Sequence, residues 1–491
     1  MISWAVAVMV VVPVASALGI WGLGLRRLAG PLALVATLAM LAGSALVAYR
    51  VEDRGPQSGL DGWVYVDSLG VVILVLIMAV GVCAVFNSLS YIEHDVAGGE
   101  LTAHDRSRYY ALLLIFMATM VTVPITDNLG VMWVAIEATT VVSVLLVSIY
   151  RTGPALEAAW KYLLIGSVGI ALALFGTMMT YYASSAISGE NGSALSWTEL
   201  QRIAANFDPR VMRLAFIFVL VGYGTKAGLA PMHTWLPDAH SQAPSPVSGL
   251  LSGVLLNCAV YAILRFRIIA ISSAGSQFTD HLLIGFGLFS IAIAVPFLVV
   301  QHDIKRMLGY HSVEHMGIIV LAIGIGGHIA LYAAMLHLVA HSLTKSSLFF
   351  AAGSLVQAFH TRSMHRMRGL LRITPIAGAG LILGVLALAG LPPFAMFTSE
   401  FGLVSGAFGT GRGTVGVVGA VFITLAAISL LYHSIEVAYR EPRPGAAVRS
   451  LSASTTLSVF APLLLLAWIS IAPPDAFVDS LEHAVLVLEG N

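Results

Sequence analysis

His337, His341 and Lys345 recur every four residues in "MLHLVAHSLTKSSLFF". On a helix this spacing stacks them on one face, about 6 Å apart along the axis. The run around them is apolar, and burying an ionisable group at the centre of a bilayer costs from about 2.5 to above 10 kcal/mol. A single intramembrane histidine is usually a hydrogen-bonded structural residue. Three titratable groups on one stripe fit a hydrated proton path better. The histidine pair also has the spacing of two metal ligands. No carboxylate or third histidine follows at ligand spacing on this run, so no metal is expected.

Other ionisable residues fall inside apolar runs: Glu137 in "NLGVMWVAIEATTVVSVLL", Lys161 in "AAWKYLLIGSVG", Lys226 in "LAFIFVLVGYGTKAGLAPM" and Glu400 in "LPPFAMFTSEF". In "QHDIKRMLGYHSVEHMGII", residues 301–319, Asp303, Lys305 and Arg306 read as interfacial, where snorkelling accounts for them. His311, Glu314 and His315 lie deeper. The chain has four lysines, and Lys161, Lys226 and Lys345 all fall within apolar runs while arginine does the loop work. A buried lysine can release its proton and arginine cannot. Glu137 has no basic residue within a helical turn, so its partner must come from another span, with Lys226 and Lys161 available. A Glu–Lys pair that forms and weakens is one step of a proton relay; the alternative is a static pair tying two helices together.

The elements that hold these residues are membrane helices. The chain has 491 residues, 58% hydrophobic and 10% charged, whereas a soluble domain carries about 25% charged residues. Apolar runs long enough to span fall at 2–24, 31–49, 68–92, 109–126, 128–150, 157–182, 211–231, 245–271, 281–300, 308–325, 329–357, 375–396, 414–437 and 453–473. The fold class is therefore an all-α polytopic membrane protein of about fourteen spans, with the first uncleaved. With the N-terminus outside, the inner loops hold Arg26, Arg27, Arg106, Arg108, Arg151, Lys305, Arg306, Arg362, Arg366, Arg368, Arg372, Arg440, Arg443 and Arg449. The outer loops hold Arg50, Arg54, Arg202, Arg210, Arg213, Arg265, Arg267 and Arg412. The balance places both termini outside, with Arg265 and Arg267 against the trend. The two cysteines, Cys83 and Cys258, lie apart in apolar runs, which argues against cluster or zinc chemistry carried by cysteine. Zero formal net charge gives no case for nucleic acid.

"AGLAPM" at 227–232 echoes "AGLPPF" at 389–394, each with glycine before proline late in a run. Pro231, Pro392 and Pro393 therefore mark two broken helices, an arrangement that flanks ion sites in transporters built from inverted repeats.

The segments "KAGLAPMHTWLPDAHSQAPSPVSGLL", "HDIKRMLGYHSVEHMGII", "HLVAHSLTKSSLFFAAGSL" and "GLPPFAMFTSEF" resemble the antiporter-like subunits of respiratory complex I, Mrp-type antiporters and membrane-bound hydrogenases. The likeness covers about residues 65–440. "SVEHMGI", "WVAIEATTVVS" and "ALEAAWKYLLIGSVGIALALFGT" look most like component F of hydrogenase-4. The resemblance implies inverted five-helix repeats at spans 4–8 and 9–13, with spans 7 and 12 broken. On that basis the chain divides into 1–108, 109–271, 281–437 and 438–491. It implies that Glu137, Lys226, the stripe from His337 to Lys345, and Glu400 relay protons, or sodium in some antiporters. It also implies partner membrane subunits in a prokaryotic plasma membrane and no cofactor in this chain. Span 8 departs from the pattern: Asn257 stands where several relatives have lysine, and Ser252 where others have histidine. Asparagine bonds water but carries no charge at neutral pH, which leaves full-width pumping open and makes water, or His311 and His315, the alternative bridge. The remaining readings are a cation/proton antiporter subunit and a non-pumping scaffold, including one in an inorganic-carbon uptake system.

Overall fold

A computed structural model describes residues 2–22, 24, 26–188, 195–442 and 451–490. Arg443 and Arg449, counted above among the inner basic residues, lie outside the described residues. The chain opens with α1 (Ile2–Gly22) and α2 (Ala29–Arg54), followed by a hairpin of β1 (Gln57–Gly59) and β2 (Val64–Val66). Next come α3 (Ser68–Ala97), α4 (Ala103–Ile125), α5 (Leu129–Val147), α6 (Gly153–Ser188) and the short α7 (Trp197–Ile203). The seventh pass consists of α8 (Pro209–Ala227) and α9 (Trp235–Gln242). The eighth runs through α10 (Ser245–Leu250) and a π-helical turn at Leu251–Leu255 into α11 (Leu256–Ala274). Beyond it lie α12 (Ser276–Val299), α13 (Ile304–Ile325) and α14 (Gly327–Phe359). The chain ends with α15 (Leu370–Ile373), α16 (Pro375–Leu388), α17 (Ala395–Gly409), α18 (Gly413–Tyr439), α19 (Ala453–Ile471) and α20 (Asp475–Glu489).

Among the described residues, twelve helical segments are long and apolar enough to cross a membrane. The polar-striped α14 and the broken pair α16–α17 supply two more passes. Each of the fourteen apolar runs falls on one of these passes. Their alternation puts the basic-rich loops on one face, here the basic face, and both chain ends on the other, the terminal face.

Helix starts follow from side chains that accept the backbone N–H groups left free in a first turn. Asp67 caps α3, Thr102 and Asp105 form a capping box on α4, Asn128 caps α5 and Asp303 caps α13. The core is most fully buried around α10–α11 and α13, whose membrane-spanning windows have no exposed residue.

The breaks sit mid-pass, not late in a span, because each proline run interrupts a helix that then resumes. After Gly228 (φ 78°) and Pro231, the polar "HTWLPDAHSQ" completes the seventh pass as α9. After Gly390, Pro392 and Pro393, α17 completes the twelfth. Glu400 therefore lies inside the second half of that pass and not at the end of a span. Backbone freed by the first break is taken up locally: Trp235 Nε1 donates to the Thr225 carbonyl at 2.9 Å, and Ala230 N donates to Ser290 Oγ at 3.0 Å. Beyond the last pass, Asp475–Glu489 form the amphipathic α20, which packs on α3 and α14.

Helix α8 is held hard against α6 by Gly222. A Cβ there would lie 2.6 Å from the Gly169 carbonyl oxygen and 2.7 Å from Ala173 Cα, a small-residue contact that lets two membrane helices approach closely. Gly222→Ala is expected to force the pair apart at a cost of about 1–3 kcal/mol. An unchanged melting temperature of the purified protein would refute that close approach.

Candidate functional site

Lys226 ends the first half of the broken pass, fully buried, one turn beyond Gly222. Its ammonium donates to Thr140 Oγ1 at 2.8 Å and to Tyr162 Oη at 2.6 Å. Tyr162 Oη lies 2.8 Å from Ser143 Oγ, which donates to the Thr139 carbonyl, so the phenol passes its own proton to Ser143. The Tyr162 ring stacks on Trp235 at 4.3 Å, which fixes the phenol. Lys226 thus sits in a cage of hydroxyls. It does not touch Glu137, the partner expected from sequence. Thr140, one turn along α5 from Glu137, takes that place, and Glu137 acts on Lys226 only through space. Glu137 Oε1 accepts a long bond of 3.4 Å from Ser167, and its buried Oε2 has no hydrogen-bond partner.

The lysines at the basic face exchange their expected depths. Lys161 was read as lying inside the membrane, but its side chain is 46% exposed and pairs with Glu157 at 2.6 Å and Asp238 at 3.2 Å. It stands only two turns into α6, close enough to the interface for its amine to leave the bilayer. Arg306 joins the same Asp238 at 3.1 Å. Lys305 was read as snorkelling and is instead 3% exposed, donating to the Ala243 carbonyl at 2.5 Å. Pro244 ends α9 there and leaves that carbonyl free, a favourable partner for a cation at a helix C-terminus. Lys305 lines a basic-face cavity of about 410 Å³ with Asp95, Tyr150, Ser241, Gln357 and Arg362. Asp95 accepts from Tyr150 at 2.5 Å and from Gln357 at 2.7 Å.

The second half gathers the remaining candidates into one buried cluster. His311 Nδ1 lies 2.7 Å from Glu314 Oε2, and His315 Nδ1 lies 2.9 Å from His337 Nε2. His337 Nδ1 lies 2.9 Å from Ser399 Oγ, whose hydroxyl donates to the Met396 carbonyl. The His341 ring lies 5.5 Å from that of His315, and both its nitrogens are unpartnered. Lys345 donates to the Leu308 carbonyl. Glu400 abuts the break at Gly390, and its carboxylate lies with the ring nitrogens of His315 and His337 in a group whose ligating atoms are within 4.8 Å of one another. The α14 stripe thus meets two further histidines and two carboxylates, supplied by α13 and α17, and these meet the ligand requirement that spacing along a single helix cannot show.

Between Lys226 and this cluster stand Ser252 and Asn257 of the eighth pass. Ser252, in the π-helical turn, pairs with Ser312 at 2.7 Å. Asn257 Nδ2 donates to Ser342 Oγ at 2.7 Å, leaving Oδ1 unpartnered. Sequence reading missed His240, which is fully buried with both nitrogens unpartnered and its ring 5.1 Å from Phe349. It stands near both Lys305 and Lys345. The sequence signal was a histidine nine residues past the break at Pro231, hidden because "PDAHSQ" reads as a loop.

Residues 126–429 match the family described as NADH:quinone oxidoreductase/Mrp antiporter, TM. The chain belongs to this family. A hydrogenase-4 component F homolog from Methylacidiphilum infernorum is 40% identical over 425 residues, covering 86% of this chain and 88% of that one. An NADH-quinone oxidoreductase subunit N from Desulforudis audaxviator is 28% identical, covering 84% and 82%. In fold, this antiporter-family chain superposes with a TM-score of 0.86 on chains from two complexes, at 19% identity in each case. One is the archaeal membrane-bound sulfane sulfur reductase, covered at 99% of both chains. The other is the Mrp complex from Dietzia, covered at 99% of this chain and 97% of that one. Multisubunit membrane complexes are thus the setting in which this fold occurs.

Proposed function

We propose that this chain is the proton-translocating, antiporter-like membrane subunit of a redox-driven complex of the hydrogenase type. Partner subunits supply the energy, and protons pass through Glu137, Lys226 and the histidine cluster. One observation carries the reading: buried ionisable and hydroxyl side chains follow one another from the hydroxyl cage of Lys226, past Asn257–Ser342, to Lys345, His341, His315, His337 and Glu400. Lys305 and His240 connect the basic-face cavity to the same series. A static scaffold has no use for so many buried titratable groups, each of which destabilises the fold unless satisfied.

In this mechanism the hydroxyl cage stabilises the charged lysine without pairing it. Any shift of charge at Glu137, driven by a neighbouring subunit, then changes whether Lys226 holds or yields its proton. Asn257 carries no charge and serves as a hydrogen-bonding step between the two halves. The positive-inside rule sets the basic face inward and both termini outward in a prokaryotic plasma membrane.

The test uses the native complex in proteoliposomes with its electron donor and a pH-sensitive dye. Glu137→Gln and Glu400→Gln are each expected to abolish redox-linked proton uptake while the complex assembles and turns over its donor. Normal uptake in either variant removes that residue from the relay. Sodium-stimulated transport with no redox substrate would replace this reading with a cation/proton antiporter.

A further inference from the structure

The hydrogen bonds around His315 leave one of its nitrogens facing a carboxylate with nothing between them. Ser399 commits its hydroxyl proton to the Met396 carbonyl, so it accepts from His337 Nδ1–H. His337 Nε2 then accepts, and His315 donates from Nδ1. On this network the lone pair of His315 is at Nε2. That atom is buried, has no hydrogen-bond partner and points toward Glu314 Oε2 at 3.9 Å. Two acceptors facing each other at this separation leave room for a donor or a cation between them.

The surroundings fit a metal cation. "HSVEH" at 311–315 puts two histidines at i and i+4 and a carboxylate at i+3 on one helical face. The ligating atoms of His311, Glu314 and His315 lie within 4.8 Å of one another. Two of the separations, 2.7 Å from Glu314 Oε2 to His311 Nδ1 and 3.9 Å to His315 Nε2, bracket the donor spacing of about 3.3 Å that tetrahedral zinc requires. The His341 ring lies next to this group, 5.5 Å from that of His315, with both nitrogens free. The bond from His315 Nδ1 to His337 is the outer-shell hydrogen bond that orients a metal-ligating histidine. Lys345 gives its amine to the Leu308 carbonyl and reaches Glu314 and the histidines only through space.

We propose that His311, Glu314 and His315, with His341 as the fourth ligand, form a site for a divalent transition metal of the Zn²⁺ class. A terminal-face cavity of about 390 Å³ reaches Leu336 and Phe401, the neighbours of His337 and Glu400, and its rim carries His328 and Glu482. That rim is the approach for a cation. A metal in the cluster would fix the histidines that the relay needs free, so the site is inhibitory.

The experiment reads metal retention, with no transport involved, so it stands apart from the relay test. The full complex in detergent is stripped with chelator, equilibrated with Zn²⁺ alone, gel-filtered and assayed for bound zinc. One zinc per chain is expected, with X-ray absorption showing nitrogen and oxygen at about 2.0–2.1 Å and no sulfur near 2.3 Å. His315→Gln and Glu314→Gln should each lower zinc affinity by at least about 100-fold, and Ser399→Ala by about 10-fold. His328→Gln, on the rim, should retain the metal. Absence of tightly held zinc in the unaltered complex, a measurement that depends on no variant's folding, overturns the proposal. Full retention in His315→Gln, or loss confined to His328→Gln, overturns it too.

Discussion

Lys226→Arg is expected to abolish redox-linked proton uptake as completely as Lys226→Ala, a fall of at least about 100-fold, the lower range for removing an acid–base group. The arginine variant is the more telling of the two. It keeps a positive charge and donors for Thr140 and Tyr162, so a lysine needed only for its charge would be largely replaced. A guanidinium cannot give up its proton in a protein. A step that requires the side chain to alternate between charged and neutral therefore stops. The measurement is dye-reported uptake in proteoliposomes, alongside donor turnover and co-purification of the partner subunits to show that the complex is intact. Uptake above half of the unaltered rate in Lys226→Arg would mean that the lysine is a fixed charge and that the relay lies elsewhere.

That outcome matters because the structure gives Lys226 no carboxylate to pair with. A lysine tied to Glu137 in a short ion pair would be held charged, and extracting its proton would mean breaking the pair. Hydroxyls stabilise an ammonium less strongly and accept or donate as the charge changes. Distance from Glu137 is thus an asset for a site that must release its proton, and it leaves the Glu137 charge as a lever acting through space.

Much of this arrangement is legible in the sequence, and what is not has physical causes. Hydropathy locates the passes because a bilayer demands long apolar helices. The stripe from His337 to Lys345 is visible because it lies on one helix with a fixed repeat. Depth is not visible in the same way. Lys161 and Lys305 each sit near the end of a helix, and only the packing decides that the first reaches solvent and the second points under Ala243. The meeting of His315 with His337, 22 residues apart, is a tertiary contact with no periodic signal. Tyr162 and Thr140 look like ordinary lining of apolar runs until Lys226 is found against them. The repeat motif shows where helices break, but proline marks only the interruption, and the polar segment that completes the seventh pass reads as a loop.

The terminal face offers the second large effect, this one on stability. Arg265 and Arg267 run against the expected charge bias because they are buried structural groups. The Arg265 guanidinium binds Asp67 through two bonds of 2.7 and 2.6 Å, donates to Tyr261 Oη at 2.8 Å and lies 4.2 Å over the Trp197 ring. Both partners are nearly inaccessible, at 3% and 1% side-chain exposure. Arg265→Met strands the Asp67 carboxylate and is expected to destabilise the protein by about 3–5 kcal/mol, read as a lower melting temperature and poorer assembly. The pair itself adds little net stability, because its attraction mainly offsets desolvation. Asp67→Asn added to Arg265→Met should therefore recover more than half of the loss, since asparagine can still accept from Gly70 N to cap α3. Recovery in the double variant, with proton uptake per assembled complex unchanged, would make this an uncompensated charge and not a lost relay step. A single-variant loss below about 1 kcal/mol would show that water reaches Asp67 and that this face of the first half is not sealed.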